Sequence, residues 1–208
     1  VAFGQFREQA AKEPNVAPPQ RDALREQARK AYQQALQIDP AYMPAYLALA
    51  RLYAVDGDKE RCLATYTEAL RHHPKDASVW HELGMCHLRL NQTSSALQEL
   101  QKASKLDPEN RRFAKDYGYA LGRLGRFDES LVVLTGLEGE AVAHFDVGRM
   151  AHHLGQDELC KLHLRVALAI KPDLAEARKL MDRLESPAPA SDTTPVSGAI
   201  EIDPAPAK

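Results

Sequence analysis

Along residues 77–110 the apolar and small positions keep a helical period, lose it, and regain it. Trp80, Leu83, Gly84 and His87 recur every three or four residues, Asn91 interrupts them, and Ala96, Leu100 and Ala103 resume the period before Asp107-Pro108. That spacing draws one stripe on each of two helices, and the short break predicts helix, turn, antiparallel helix. Residues 43–76 repeat the scheme with Tyr46, Leu49, Ala50 and Tyr53, a break at Gly57, then Cys62, Tyr66 and Ala69 before Pro74. Residues 141–174 do so again with His144, Val147, Gly148 and Ala151, a break at Gly155, then Cys160, Leu164 and Ala167 before Pro172.

The closing prolines Pro40, Pro74, Pro108 and Pro172 lie 34, 34 and 64 residues apart, the last interval being 34 plus a shortened 30. A fixed period of this size marks stacked units, none of which buries its apolar face alone, so neighbours must supply one continuous core. Each proline ends a second helix because the residue before it is pushed out of helical geometry. Gly57, Asn91, Gly125 and Gly155 each follow a first helix, where a left-handed residue satisfies orphan carbonyls. Gly84, Gly118 and Gly148 are expected where the two helices of a unit approach closely.

Residues 111–140 keep Tyr117, Gly118, Leu121, Gly125, Ser130 and Leu134 but are four residues short and lack the proline, so their second helix should stop at Gly136 or Gly139. The defect either changes local curvature or is neutral variation in a repeat loop. Asp128 is expected to cap that helix. Residues 19–42 carry only a second helix, with Ala28, Tyr32, Ala35 and Pro40; residues 1–18 hold a short helix-like segment, Phe3–Lys12, which either replaces its missing partner or stands where one was cut away. Residues 175–185 present Ala177, Leu180, Met181 and Leu184 on one face and read as a polar-backed capping helix. Residues 186–208 hold five prolines and no aromatic residue, a composition expected to stay disordered.

These residues resemble the tetratricopeptide repeat family, whose 34-residue pattern of Trp, Leu-Gly, aromatic, then small, aromatic, small and proline is matched best by residues 77–110. The resemblance covers residues 19–185. It implies an all-α fold, a right-handed α-α superhelix (solenoid) of antiparallel helix pairs. It also implies a concave groove lined by the second, fifth, ninth, twelfth and thirteenth residues of each unit. Among the twenty positions so selected six are basic, Arg51, Arg89, Arg112, Lys115, Arg123 and Arg149, and none is Asp or Glu. Random placement would give about three of each sign.

Composition sharpens this picture. The chain has 208 residues, 44% hydrophobic and 27% charged, with a formal net charge of −2. A whole-surface trap for nucleic acid or anionic membrane is thereby excluded, and charge-driven binding must come from local asymmetry. The groove is expected to bind an acidic peptide segment of a partner protein. Arg89, Lys115, Arg123 and Arg149 are its anchors, helped by Arg51, Arg112, His81 and His152, and Met85, Tyr119 and Phe145 are apolar contacts. Arginine suits the task because its planar fork holds a carboxylate by two hydrogen bonds. The alternatives are a solvated basic face, or an assembly scaffold that uses the convex face or the ends. Clamping of a C-terminal carboxylate, known in the family, fits poorly, since Arg51 and Arg89 stand where other clamp partners are wanted. Single-stranded nucleic acid is disfavoured by the scarcity of stacking aromatics.

The remaining chemistry is thin. Eight histidines include the pairs His72-His73 and His152-His153, but adjacent helical residues point about 100° apart and no zinc-binding spacing is present, so no metal or other cofactor is expected. Those near the groove would weaken anion binding as pH rises past about 6.5. No phosphate loop, nucleophile elbow or carboxylate pair supports catalysis, and the chain is not expected to be an enzyme. Cys62, Cys86 and Cys160 lack metal-ligand spacing and read as small core residues. No run approaches the ~18 apolar residues of a membrane span, and no secretory signal is evident. The chain begins at Val1, which reads as a processed protein or an excised fragment; a soluble protein is expected, with a lean to the cytoplasm.

Overall fold

A computed structural model describes residues 1–186. Among them are eleven helices and no strand: α1 (Ala2–Ala10), α2 (Pro18–Ile38), α3 (Met43–Val55), α4 (Lys59–His72), α5 (Ala77–Arg89), α6 (Thr93–Leu106), α7 (Arg111–Arg123), α8 (Phe127–Glu138), α9 (Glu140–His153), α10 (Asp157–Ile170) and α11 (Ala175–Glu185). Each helix packs on the next, so the chain climbs as a stack of helix pairs, an α-α solenoid. α1 packs along α2 in the place a first helix takes in the other units. The expectation of disorder for 186–208 falls, from residue 187 onward, outside the described residues.

Local chemistry sets the boundaries. Asp58 accepts a hydrogen bond from the Arg61 backbone N–H, Asp76 from those of Ser78 and Val79, and Asn110 from that of Phe113, so α4, α5 and α7 start on capping side chains. Gly57, Asn91, Gly125 and Gly155 all have φ between 58° and 76°, and at Asn91 a side chain tolerates the left-handed turn that glycine takes elsewhere. Asp128 is not the cap of α8. That position is Arg126, which offers no side-chain bond, and Asp128 lies inside the first turn with Glu129, where their charges favour the helix dipole.

A recurrent tie fixes α3, α5 and α11 to the turns before them. The Tyr46 hydroxyl donates to the Pro40 carbonyl at 2.9 Å, Trp80 Nε1 to Pro74 at 2.9 Å and Arg178 Nη2 to Pro172 at 2.6 Å. The corresponding residue of α7 is Ala114, which has no side-chain donor. Within a unit the helices close tightly: a Cβ on Gly84 would stand 2.8 Å from Leu100 Cγ and 3.3 Å from the Ala96 carbonyl oxygen.

The short unit loses most of its length from its connection. Four residues separate α4 from α5, α6 from α7 and α10 from α11, whereas Gly139 alone separates α8 from α9 and ends the one as it begins the other. The core is not a single continuous cluster. It comprises four adjoining groups, centred on α2–α5, α5–α7, α8–α9 and α9–α11. The buried polar side chains His81, Ser130 and Asp146 lie where one repeat meets the next or one helix meets its partner, and they interrupt the apolar run.

Candidate functional site

First helices supply every residue expected in the groove: Arg51 from α3; His81, Met85 and Arg89 from α5; Arg112, Lys115, Tyr119 and Arg123 from α7; Phe145, Arg149 and His152 from α9. The solenoid therefore lines them up unit by unit. Their electrostatics differ from a bare count of cations, because carboxylates at neighbouring helix positions reach most of them.

Arg51 Nη2 donates to Glu82 Oε1 at 2.7 Å, Arg149 Nη2 to Asp146 Oδ1 at 3.0 Å, and Arg112 Nε approaches Asp116 Oδ2 at 3.8 Å. Lys115 is bonded to Glu138, and that bond holds its ammonium above the ordinary lysine range. His152 Nδ1 lies 2.6 Å from Asp157 Oδ1. Glu82, Asp116 and Asp146 are each the sixth residue of their unit and lie between the positions that the groove rule selects. That recurrence was the available signal for an acidic row interleaved with the basic one.

His81 is not a surface contact. It is 2% exposed, stacks on Phe113 at 4.6 Å between ring centroids, and sets Nε2 2.7 Å from Asp116 Oδ2, bridging α5 to α7. Tyr119 plays a similar part between α7 and α9: its hydroxyl donates to the buried Asp146 at 2.7 Å. Burial and that carboxylate push the Tyr119 phenol up to about 12. Met85 is half-buried against the α5–α7 group, and Phe145 is half-buried with the Arg149 guanidinium 6.0 Å from its ring centroid.

Two of the expected anchors stay open. Arg89 is exposed and has no ion-pair partner among the described residues, and Arg123, also exposed, donates a hydrogen bond to Asn91 Oδ1 at 3.4 Å and has no ion-pair partner among them. A further basic surface lies farther along, in a cleft of about 350 Å³ between α9 and α11. Phe145 and Leu180 give it apolar walls; Arg149, Lys179 and Arg183 give it positive charge, with His152 and His153 beside them, against one acid, Glu176. Lys179 and Arg183 have no ion-pair partner among the described residues. Sequence reasoning assigned α11 only a capping role and did not carry the groove rule into it, although the second, fifth and ninth residues counted from Ala175 are Glu176, Lys179 and Arg183.

No helix among the described residues is long and apolar enough to cross a membrane. A family profile described as tetratricopeptide repeat matches residues 25–83 and 63–115. The chain is 32% identical over 85 residues to the Cell division cycle protein 27 homolog of Caenorhabditis elegans, covering 41% of this chain and 11% of that protein. It is 22% identical over 162 residues to Anaphase-promoting complex subunit 3 of Schizosaccharomyces pombe, covering 76% and 24%. The chain thus spans less than a quarter of the length of these curated relatives. Among solved structures, YrrB, described as a TPR protein with an unusual peptide-binding site, superposes with a TM-score of 0.58 at 24% identity, covering 86% of this chain and 97% of that one. A structure of MamA superposes with a TM-score of 0.59 at 22% identity, covering 86% and 99%. At these identities the likeness is one of fold. The profile match places residues 25–115 in the tetratricopeptide repeat family, and the punctuation by proline and turn residues carries the same pattern on to Pro172.

Proposed function

We propose that the chain is a non-catalytic protein-interaction module whose concave face holds an acidic segment of a partner protein. The observation that carries the reading is a set of cations with no ion-pair partner among the described residues, Arg89 and Arg123 and then Lys179 and Arg183, the last two in the α9–α11 cleft beside the apolar Phe145 and Leu180. An incoming carboxylate gains most from a cation with no internal partner, since a paired one must first release its own carboxylate. Arg51, Arg112, Lys115 and Arg149 then act as secondary contacts that exchange partners, and Met85 and Phe145 pack against side chains of the peptide. Both the peptide-binding site named for YrrB and the complex membership named for the anaphase-promoting relatives are consistent with a binding role.

The test is direct titration of a fluorescein-labelled Glu/Leu-rich peptide into the full chain, read by anisotropy. Binding that weakens in the Lys179→Glu, Arg183→Glu variant and in the Arg89→Glu, Arg123→Glu variant, and weakens with salt, supports the reading. Equal binding by wild type and both variants overturns it.

A scaffold reading has its own observation. Phe3 and Phe6 of α1 are 55% and 66% exposed, and Val132 of α8 and Leu162 of α10 are 76% and 55% exposed. On that reading apolar ends or outer ridges join copies or other subunits, and the molecular mass by light scattering falls to a monomer on Phe3→Ser, Phe6→Ser substitution while charge reversals in the groove leave it unchanged.

A further inference from the structure

Cys62 and Cys86 take no part in the interaction surface; they sit in the core between α4 and α5, sulfur against sulfur. Cys62 on α4 is fully buried, Cys86 on α5 is 3% exposed, and both are free thiols. Their sulfurs stand 3.1 Å apart across the junction between the units 43–76 and 77–110, close enough for one S–H to donate to the other sulfur. A disulfide requires about 2.03–2.05 Å between sulfurs, so about 1 Å of relative motion closes the gap. Cys160, on α10, is buried with no second sulfur beside it, and burial pushes its thiol up to about 11.

We propose that Cys62 and Cys86 form a redox-modification site at which a hydroperoxide converts the two thiols into a disulfide stapling α4 to α5. The surroundings distinguish the two sulfurs. The hydrogen bond to Cys62 and the charges of His87 and Arg89 lower the Cys86 thiol against the opposing effect of burial. Cys86, less deeply buried than Cys62 and followed by the cation Arg89 one turn along α5, is the attacking sulfur and Cys62 the resolving thiol. The Cys86 sulfur attacks one peroxide oxygen, the O–O bond breaks, and the departing oxygen takes a proton and leaves as water or an alcohol; Cys86 is left as a sulfenic acid. The Cys62 sulfur then displaces the hydroxyl, forming the S–S bond as the S–O bond breaks, and its proton leaves with the hydroxyl as water. Two thiols and one hydroperoxide give one disulfide, one water and one further water or alcohol, a two-electron exchange. Since both sulfurs are buried, reaction waits on local parting of α4 from α5, which a linear array allows without unfolding its other units.

The experiment treats the full chain with increasing hydrogen peroxide, then counts thiols in denaturant and maps disulfides by mass spectrometry of a non-reduced tryptic digest. The result expected is a fall from three thiols to one, a mass loss of two hydrogens, and a cross-link between peptides 62–71 and 76–89 that dithiothreitol reverses. A Cys160→Ser variant forms the same link and falls from two thiols to none, whereas Cys62→Ser does not form it. Persistence of all thiols at peroxide levels that fully oxidise glutathione overturns the proposal. So does oxidation that only adds oxygen to one cysteine, or linkage that runs through Cys160 of another chain.

Discussion

His144 and His163 bring their Nδ1 atoms to 2.8 Å between α9 and α10. Only one of the two nitrogens carries the proton in such a contact, so a second proton breaks the bond and sets two cations face to face. Burial holds His163 below the usual histidine value, the neighbouring His144 adds to this, and Asp128 opposes it. A histidine whose folded value is depressed takes up its proton more readily when unfolded, so the chain loses stability as pH falls from about 6.5 toward the folded value. Thermal melts at pH 7.5 and pH 5.5 should show a smaller loss in His163→Gln than in wild type; an equal loss in both would remove the pair from the account. Asp146 is a second such position. It is 5% exposed and accepts from both Tyr119 and Arg149. Asp146→Ala leaves the Tyr119 hydroxyl without its acceptor and is expected to cost about 1–3 kcal/mol in urea unfolding, most of it recovered when Tyr119→Phe is added.

Helices here are bounded by single residues, and the boundary most exposed to test is Gly139. Its φ of 85° and ψ of 159° fall in a region that is essentially glycine's alone, yet a Cβ at this position would meet no atom within 4 Å. Gly139→Ala therefore isolates backbone strain from steric conflict and is expected to destabilise the chain by about 1–3 kcal/mol, read as a fall in the urea midpoint at unchanged slope. Gly84→Val tests the opposite cause, since its side chain would push into Leu100 and the Ala96 carbonyl at a cost of about 1–3 kcal/mol. Most of this level was legible in the sequence. Proline and left-handed turn residues act locally, so Pro74, Pro108, Asn91 and Gly155 announce helix ends without reference to anything distant. Asp128 was misplaced because an acid two residues into a helix and an acid at its cap look alike in sequence, and only the bonding pattern at Arg126 separates them. The double role of Gly139 was hidden for another reason: it depends on where α9 starts, which the packing of α9 on α7 and α8 decides.

Across the whole molecule, the cations differ in whether a carboxylate already holds them, and the pairings made between units were not legible in the sequence. Arg51 and Glu82 are 31 residues apart, and Lys115 and Glu138 are 23 apart, so their pairing follows from the stacking of units and not from local pattern. A template of five positions per repeat selected cations that all lie on first helices but left out the acids at the sixth position, and with them the difference between paired and open cations. Among the described residues Arg89, Arg123, Lys179 and Arg183 lack carboxylate partners, whereas Arg51, Lys115 and Arg149 have them. On the acidic-peptide reading, neutralising an open cation removes a contact outright, while neutralising a paired one also frees a carboxylate that then repels the peptide. Lys179→Gln and Arg183→Gln should each weaken binding by about 0.5–1 kcal/mol, roughly two- to fivefold in Kd, with a shallower salt dependence. Arg51→Gln should weaken it by a similar or smaller amount, and the double change Arg51→Gln, Glu82→Gln should restore it toward wild type. Anisotropy titrations of the four variants at two salt concentrations decide the matter. A double change that binds no better than Arg51→Gln alone would mean that Glu82 never faces the peptide, and that the bound segment lies toward α9 and α11.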